Sequence, residues 1–273
     1  MTSDGSLTPD QIRGYLEFAG HLGELAGAAI LPHFRAALRV DNKATSGGFD
    51  PVTVADRSAE EAIRSEIGRV YPEHAIFGEE HGRKSGSAGL TWVIDPIDGT
   101  RAFILGQLHW GTLIGLNDGH RPVLGVMHQP FVQETFFGSA LGAGVTRGGE
   151  TRPLRTRPCA SLASAVVCAS HPDQFSNRPE KAAFELVGSK ARMVRFGGDC
   201  YNYCLLAAGM IDVVIESALH AYDVQALIPI VKAAGGVMTD WRGQPCDEGG
   251  AVIAAGDAGL HAHALQMLRW VEE

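Results

Sequence analysis

The segment Trp-Val-Ile-Asp-Pro-Ile-Asp-Gly-Thr at residues 92–100 restricts both the fold and the chemistry of this chain. Its apolar start predicts a buried β-strand at Thr91–Ile94 that runs into Asp95. Asp98 follows three residues later, and the intervening Pro96 fixes the turn without offering a backbone donor. Two carboxylates at the end of one strand are near enough to bind a shared metal cluster. Oxygen ligands of this kind favour Mg²⁺ or Mn²⁺ over zinc.

The end of the same segment is suited to binding an anion. Gly99 permits a tight turn, and Thr100 follows where a helix can begin. A helix start leaves backbone N–H groups without intrahelical partners, and such groups bind phosphate. The segment therefore predicts metal ligands beside a cradle for the phosphate that the metal would polarise. An ordinary turn is the alternative interpretation, but it does not account for all of these features together.

Two other acidic positions are candidates for the same cluster. Glu79 lies in Phe-Gly-Glu-Glu at 77–80, after a short apolar strand, and Asp223 lies at the start of a predicted helix. Each position has a simpler interpretation on local pattern alone. Paired glutamates often lie in a solvated loop, and an aspartate at a helix start is often a cap. The local sequence leaves these alternatives open.

The rest of the chain predicts an α/β protein in two parts. Thr8 and Pro9 indicate the start of a first helix that ends near residue 34, and a second helix is predicted at 55–70. Strand patterns follow, and Asn-Asp-Gly at 117–119 predicts a hairpin. Beyond Arg147–Pro158, interpreted as a loop, strands and helices alternate, which is typical of a layered α/β arrangement. We therefore predict an N-terminal α+β subdomain, residues 1–150, with most metal ligands, and a C-terminal α/β subdomain, residues 151–273.

Charge and composition argue against several classes of protein. Among the 273 residues, Lys and Arg number 23 and Asp and Glu number 31, so the formal net charge is −8. Such a balance argues against broad nucleic-acid binding. The polar N-terminus lacks the apolar region of a signal peptide, and no apolar stretch is long enough to span a bilayer. We therefore predict a cytoplasmic protein whose partner is a small molecule, not nucleic acid or membrane.

Four motifs together resemble the inositol monophosphatase-like family of metal-dependent phosphatases. They are Asp-Pro-Val-Thr-Val-Ala-Asp at 50–56, Phe-Gly-Glu-Glu at 77–80, the segment at 92–100, and Tyr-Asp-Val at 222–224 with Ala-Gly-Gly-Val-Met-Thr-Asp at 234–240. Their order and spacing match the family from about Ala19 to Val271. The resemblance implies an α/β (α+β) fold, a layered αβαβα sandwich of the inositol monophosphatase/fructose-1,6-bisphosphatase type, in a homodimer.

The resemblance also implies roles for individual residues. Four carboxylates and one carbonyl would bind two or three Mg²⁺ ions, with Mn²⁺ as a substitute: Glu79, Asp95, Asp98, Asp223 and the carbonyl of Ile97. Gly99 and Thr100 would hold phosphate through their backbone N–H groups. Thr100 and Asp56 would form a hydrogen-bonded pair that positions the nucleophilic water, assisted by Glu79. Lys43 matches a lysine on the family's mobile loop beside the substrate.

Within the family, the chain most resembles the histidinol-phosphatase branch, notably in Gly-Gly-Asp-Cys-Tyr-Asn-Tyr-Cys at 197–204. Asp199 and Glu216 match positions that line the substrate pocket. Histidinol phosphate carries an ammonium group and an imidazole, which two carboxylates would bind through charge-assisted hydrogen bonds. The simpler interpretations are a helix N-cap for Asp199 and a strand-end surface residue for Glu216. The alternative substrate is inositol 1-phosphate or another polyol monophosphate. A non-catalytic regulator is disfavoured because every predicted ligand is retained.

Overall fold

The structure, a computed structural model, describes residues 7–37, 40–42, 51–175 and 177–269. Its α-helices are α1 (Pro9–Ile30), α2 (Val54–Val70), α3 (Thr100–Ile104), α4 (Arg178–Gly188), α5 (Asp199–Ala207), α6 (Ala221–Val224), α7 (Leu227–Ala233) and α8 (Ala258–Arg269). Its β-strands are β1 (Val40–Asn42), β2 (Pro51–Thr53), β3 (Ala75–Gly78), β4 (Gly82–Lys84), β5 (Thr91–Asp98), β6 (Gly111–Asn117), β7 (Pro122–Gln129), β8 (Glu134–Ser139), β9 (Gly142–Arg147), β10 (Glu150–Pro153), β11 (Val166–Ala169), β12 (Met193–Phe196), β13 (Val213–His220), β14 (Val237–Asp240) and β15 (Gly249–Ala255).

The first helix begins where Thr8 and Pro9 predict, and the second begins one residue before its predicted start. Thr8 and Gln11 form a capping box at the start of α1, and Thr53 and Asp56 form one at the start of α2. Each box satisfies backbone N–H groups that the first turn leaves unpaired. The α-helical part of α1 ends at Ile30 and continues as a short 3-10 turn to His33, close to the predicted end.

The first sheet contains eight strands within the described part of the chain, in the order β10-β9-β8-β7-β6-β5-β3-β4. Its neighbours are antiparallel, except that β3 and β5 are parallel. The predicted hairpin at 117–119 is confirmed, because it connects the antiparallel strands β6 and β7. The predicted loop at 147–158 is wrong in its first part. There β9 and β10 pair around Gly148 and Gly149, whose positive φ angles of 57° and 81° suit a tight hairpin turn.

The second sheet has the order β12-β11-β13-β15-β14. Strands β12, β11 and β13 are parallel, and β15 pairs antiparallel with β13 and β14. The predicted alternation of strands and helices in this half is confirmed, with one correction. The single helix expected at 223–234 is divided into α6 and α7. Pro229 explains the break, because its ring would clash with the carbonyl of Gln225 in a continuous helix.

The elements stack in five layers. Helices α1 and α2 pack on one face of the first sheet, α5, α6 and α7 lie between the sheets, and α4 and α8 cover the outer face of the second sheet. Alternate strand residues face opposite cores: Leu113 faces the central helices, and Ile114 faces α1 and α2. This arrangement confirms the expected αβαβα sandwich. Among the described helices, none combines the length and the apolar character needed to cross a membrane.

Strands β1 and β2 pair with each other, and the eight-stranded and five-stranded sheets are drawn from different halves of the chain. The strands of the first sheet lie within residues 75–153, and those of the second lie within residues 166–255. Division into subdomains at about residue 150 stays a prediction.

Candidate active site

A bulge in β5 brings two of the predicted ligands to one face of the sheet. In a regular strand, residues three apart point to opposite faces. In β5, however, Asp95 pairs with Leu113 while Asp98 pairs with Gly111, so β5 contains one extra residue there. The extra residue reverses the alternation, and both aspartates can face the same cluster. The Thr112 hydroxyl donates to the Pro96 carbonyl at 2.9 Å, which satisfies a backbone oxygen at the bulge.

Asp223 completes a group of three carboxylates. One oxygen from each of Asp95, Asp98 and Asp223 lies within 4.8 Å of the others. Asp223 also closes the first turn of α6, since the backbone N–H of His220 donates to its Oδ2 at 2.6 Å. The capping role predicted as an alternative is therefore real, and it coexists with a place in the acidic cluster.

Glu79 lies beside this group. It follows β3, the parallel neighbour of β5, and its backbone N–H donates to the Ile94 carbonyl at 3.1 Å. Its charge contributes to the raised pKa values of Asp95, Asp98 and Asp223. The structure thus brings all four predicted carboxylate ligands into one neighbourhood.

The electrostatics of the cluster favour a bound cation. Burial and then the charge of Glu79 raise the pKa of Asp95 well above its usual range. Burial and then the charge of Asp199 raise the pKa of Asp98 to about 7. Burial and then the charge of Asp98 raise the pKa of Asp223 well above its usual range. A divalent cation would oppose these effects by favouring the charged carboxylates, and oxygen donors suit such a cation. The donor set therefore fits a metal site.

The turn after the cluster has the geometry that the sequence predicts. Gly99 has a φ of 84°, and α3 begins at the next residue. A side chain at this position would also meet the His109 carbonyl, because an added Cβ would lie 2.5 Å from that oxygen. The Thr100 hydroxyl donates to the carbonyl of Ile97 at 3.1 Å. The role of the Ile97 carbonyl as a metal ligand stays a prediction.

Asp56 is 1% exposed and is held by Thr53. Its Oδ2 accepts from the Thr53 backbone N–H at 2.8 Å and from the Thr53 hydroxyl at 2.6 Å. The pKa of Asp56 is raised to about 6, mainly by burial. The Thr53 hydrogen bonds oppose this rise, and the charges of Glu80 and Glu79 add to it. Direct pairing of Asp56 with Thr100 stays a prediction. Lys43 lies outside the described residues.

A cavity of about 780 Å³ opens beside the carboxylate cluster. Asp98 and Asp223 line it together with Asp199 and Glu216, the two predicted substrate-binding residues. Helix α5 begins at Asp199 with Gly198 as its N-cap, so the capping interpretation of Asp199 is wrong. The first turn of this helix also contacts the cluster, because the backbone N–H of Cys200 donates to Asp98 Oδ2 at 2.6 Å.

Glu216 is 2% exposed, so its interpretation as a surface residue is also wrong. Its Oε1 accepts from the backbone N–H of Ser170 at 2.9 Å and from the Ser170 hydroxyl, and its Oε2 accepts from the Tyr203 hydroxyl at 2.9 Å. Neither partner is predicted from the sequence. Tyr203 lies one helical turn after Asp199, a spacing that could have indicated it. No local signal indicates Ser170.

Comparison with known proteins agrees with this architecture and site. The sequence pattern of the inositol monophosphatase family matches residues 13–271. A bifunctional chloroplastic phosphatase of Arabidopsis thaliana is 38% identical, over 98% of this chain and 79% of the relative. A histidinol-phosphatase of Chlorobaculum parvum is 34% identical, over 92% of this chain and 94% of the relative.

A solved structure of an inositol monophosphatase from Zymomonas mobilis is similar in fold, with a TM-score of 0.83. It is 41% identical in sequence, and the match covers 94% of this chain and 98% of that one. Fold, motif order and the family match agree over nearly the whole chain. This chain therefore belongs to the inositol monophosphatase family of phosphatases.

Proposed function

We propose that this protein is a Mg²⁺-dependent phosphomonoesterase that hydrolyses L-histidinol phosphate to L-histidinol and phosphate, a reaction of histidine biosynthesis. The observation that carries the proposal is the cavity in which Asp199 and Glu216 lie beside Asp98 and Asp223. In a phosphate ester with a cationic group at its other end, the phosphate would lie beside Asp98 and Asp223. The cationic group would lie beside Asp199 and Glu216. A homodimer in the cytoplasm remains our expectation for its state in the cell.

The hydrogen bonds of Glu216 support a substrate that donates a hydrogen bond to this carboxylate. A carboxylate offers about four lone-pair positions. Three donors from Ser170 and Tyr203 use two positions on Oε1 and one on Oε2, which leaves a position on Oε2. Burial raises the pKa of Glu216 to about 8, so a cationic donor would favour its ionised form. An imidazolium or ammonium group supplies both the proton and the charge.

The proposed metal ligands divide into two overlapping sets. Glu79, Asp95 and the Ile97 carbonyl would hold one Mg²⁺, and Asp95, Asp98 and Asp223 would hold a second. Bound ions of this kind neutralise phosphate charge and make a water nucleophilic at neutral pH.

The remaining residues of the site would orient the reactants. Asp56 and Thr100 would position the water for in-line attack on phosphorus. The backbone N–H groups of Gly99 and Thr100 would hold the phosphate oxygens. The P–O bond to the alcohol breaks as the new P–O bond forms, so no phospho-enzyme is required.

The second candidate function is hydrolysis of inositol 1-phosphate or a related polyol monophosphate. The similarity to the inositol monophosphatase from Zymomonas mobilis favours it. The similarity to the histidinol-phosphatase from Chlorobaculum parvum favours the first candidate. Hydroxyl groups could also donate to Glu216, but they carry no positive charge that would favour its ionised form.

Phosphate release from histidinol phosphate and inositol 1-phosphate, measured side by side with and without Mg²⁺, tests the proposal. We expect Mg²⁺-dependent hydrolysis with a clear preference for histidinol phosphate. A preference for inositol 1-phosphate would retain the metal chemistry and reject the assignment of Asp199 and Glu216. Hydrolysis of neither ester would contradict both candidate substrates.

The Glu216→Gln variant should lose discrimination between the two esters. Loss of one charged hydrogen bond costs about 1.5–3 kcal/mol, so we expect kcat/KM for histidinol phosphate to fall about 10- to 150-fold. The value for inositol 1-phosphate should fall less. Glu185→Gln, at an exposed position on α4, is the matched control. Equal losses for both substrates would show that Glu216 does not recognise the cationic group.

A further inference from the structure

We infer that Glu60, on α2, is a positioning residue that sets the direction of Glu79 in the metal site. Glu60 is fully buried, although its side chain is a carboxylate. Its Oε2 accepts from the backbone N–H of Glu80 at 2.7 Å, and its Oε1 accepts from that of His81 at 3.2 Å. These are the two residues that directly follow Glu79. The inference rests on the proposed function, because it assumes that Glu79 binds metal.

The backbone before Glu79 also lies against this carboxylate. A Cβ added to Gly78 would lie 2.0 Å from Glu60 Oε1 and 2.8 Å from Oε2, so only glycine permits this approach. On the opposite side, the Glu79 backbone N–H donates to the Ile94 carbonyl at 3.1 Å. The turn at residues 78–81 is therefore wrapped around Glu60, and Glu79 lies between its contacts.

Arg64 compensates the buried charge and extends the same arrangement. Its guanidinium donates to Glu60 Oε1 at 2.9 Å and to the carbonyl of Gly82 at 3.0 Å. Replacing a buried ion pair with apolar residues is often neutral or stabilising, so stability alone does not require the pair. The hydrogen bonds of the pair instead hold residues 80–82, which directly follow Glu79. Residues that support metal ligands in this way typically change metal affinity 10- to 100-fold when replaced.

The test measures Mn²⁺ binding directly by electron paramagnetic resonance. It compares four proteins: wild type, Glu60→Gln, Glu79→Gln and the double variant. We expect Glu60→Gln to weaken Mn²⁺ binding about 10-fold. The double variant should bind no more weakly than Glu79→Gln alone, because Glu60 acts through Glu79. Glu66→Gln is the matched control, since Glu66 lies on the same helix and pairs with Arg69 but does not contact the turn. Its Mn²⁺ affinity should equal that of wild type.

The outcomes separate the inference from the proposed function. Unchanged Mn²⁺ affinity in Glu79→Gln would reject the metal-binding role of Glu79. If Glu79→Gln binds Mn²⁺ more weakly but Glu60→Gln binds it as wild type does, only the positioning role of Glu60 is overturned. Fully additive losses of Mn²⁺ affinity in the double variant would overturn the same role.

Arg64→Lys provides a second test if Glu60→Gln yields no folded protein. Both hydrogen bonds of Arg64 come from Nη1, and lysine keeps the charge but ends one bond nearer the backbone, so its ammonium would lie too far back to make both. We expect Mn²⁺ affinity to fall severalfold while the melting temperature without metal changes little. Wild-type affinity in this variant would overturn the inference.

Discussion

The Asp98→Asn variant should lose most phosphatase turnover and bind Mg²⁺ weakly while keeping its fold. Asparagine has the shape of aspartate, and its side-chain oxygen can still accept from the Cys200 backbone N–H. The substitution removes the charge that faces the cation in the group with Asp95 and Asp223. We expect kcat to fall more than about 100-fold, beyond the range for residues that only support metal ligands.

Phosphate release across a Mg²⁺ titration measures this loss, and circular dichroism reports the fold. Asp10→Asn is the matched control, because the Asp10 side chain is 88% exposed and contacts only Arg13 among the ion pairs of the described residues. It should behave as wild type. Full activity with unchanged Mg²⁺ dependence in Asp98→Asn would contradict the assignment of the site.

The Gly125→Ala variant should unfold at much lower denaturant concentration than wild type. Gly125 lies in β7, and an added Cβ would lie 1.9 Å from the carbonyl oxygen of Ala226. The oxygen belongs to the Ala226 backbone, so relief requires movement of the chain between α6 and α7. Overpacking of a core commonly costs 1–3 kcal/mol, and this contact is closer than side-chain repacking can relieve. We expect a loss of about 3 kcal/mol or more in the free energy of unfolding.

Urea unfolding followed by tryptophan fluorescence measures that loss. Gly20→Ala is the control, since an added Cβ there has no neighbour within 4 Å and the position is helical. It should stabilise the protein by about 0.5–1 kcal/mol. Because Asp223 lies three residues before Ala226, Gly125→Ala should also weaken Mg²⁺ binding. A free energy of unfolding equal to that of wild type would show that α7 does not need this close approach.

Local patterns in the sequence predicted the elements whose signals are contained within a few residues. The cap of α1, the helix at 55–70, the hairpin at 117–119 and the strand that leads to Asp95 are of this kind. Their formation depends on side chains close in sequence, so periodicity and capping residues suffice to indicate them. The candidate ligands were identified by the same local motifs and by the family resemblance that these motifs support.

Contacts between distant residues decided the rest. The bulge in β5 depends on its pairing with β6, and burial of Glu216 depends on Ser170, which is 46 residues away. Glu60 contacts the turn after Glu79 across 20 residues, and no motif around it predicts that contact. A local pattern can specify which chemical groups are present, but their partners and burial arise only when the layers pack. The sequence by itself therefore determined the kind of chemistry available, and the tertiary structure decided which carboxylates are buried, held and aimed into one cavity.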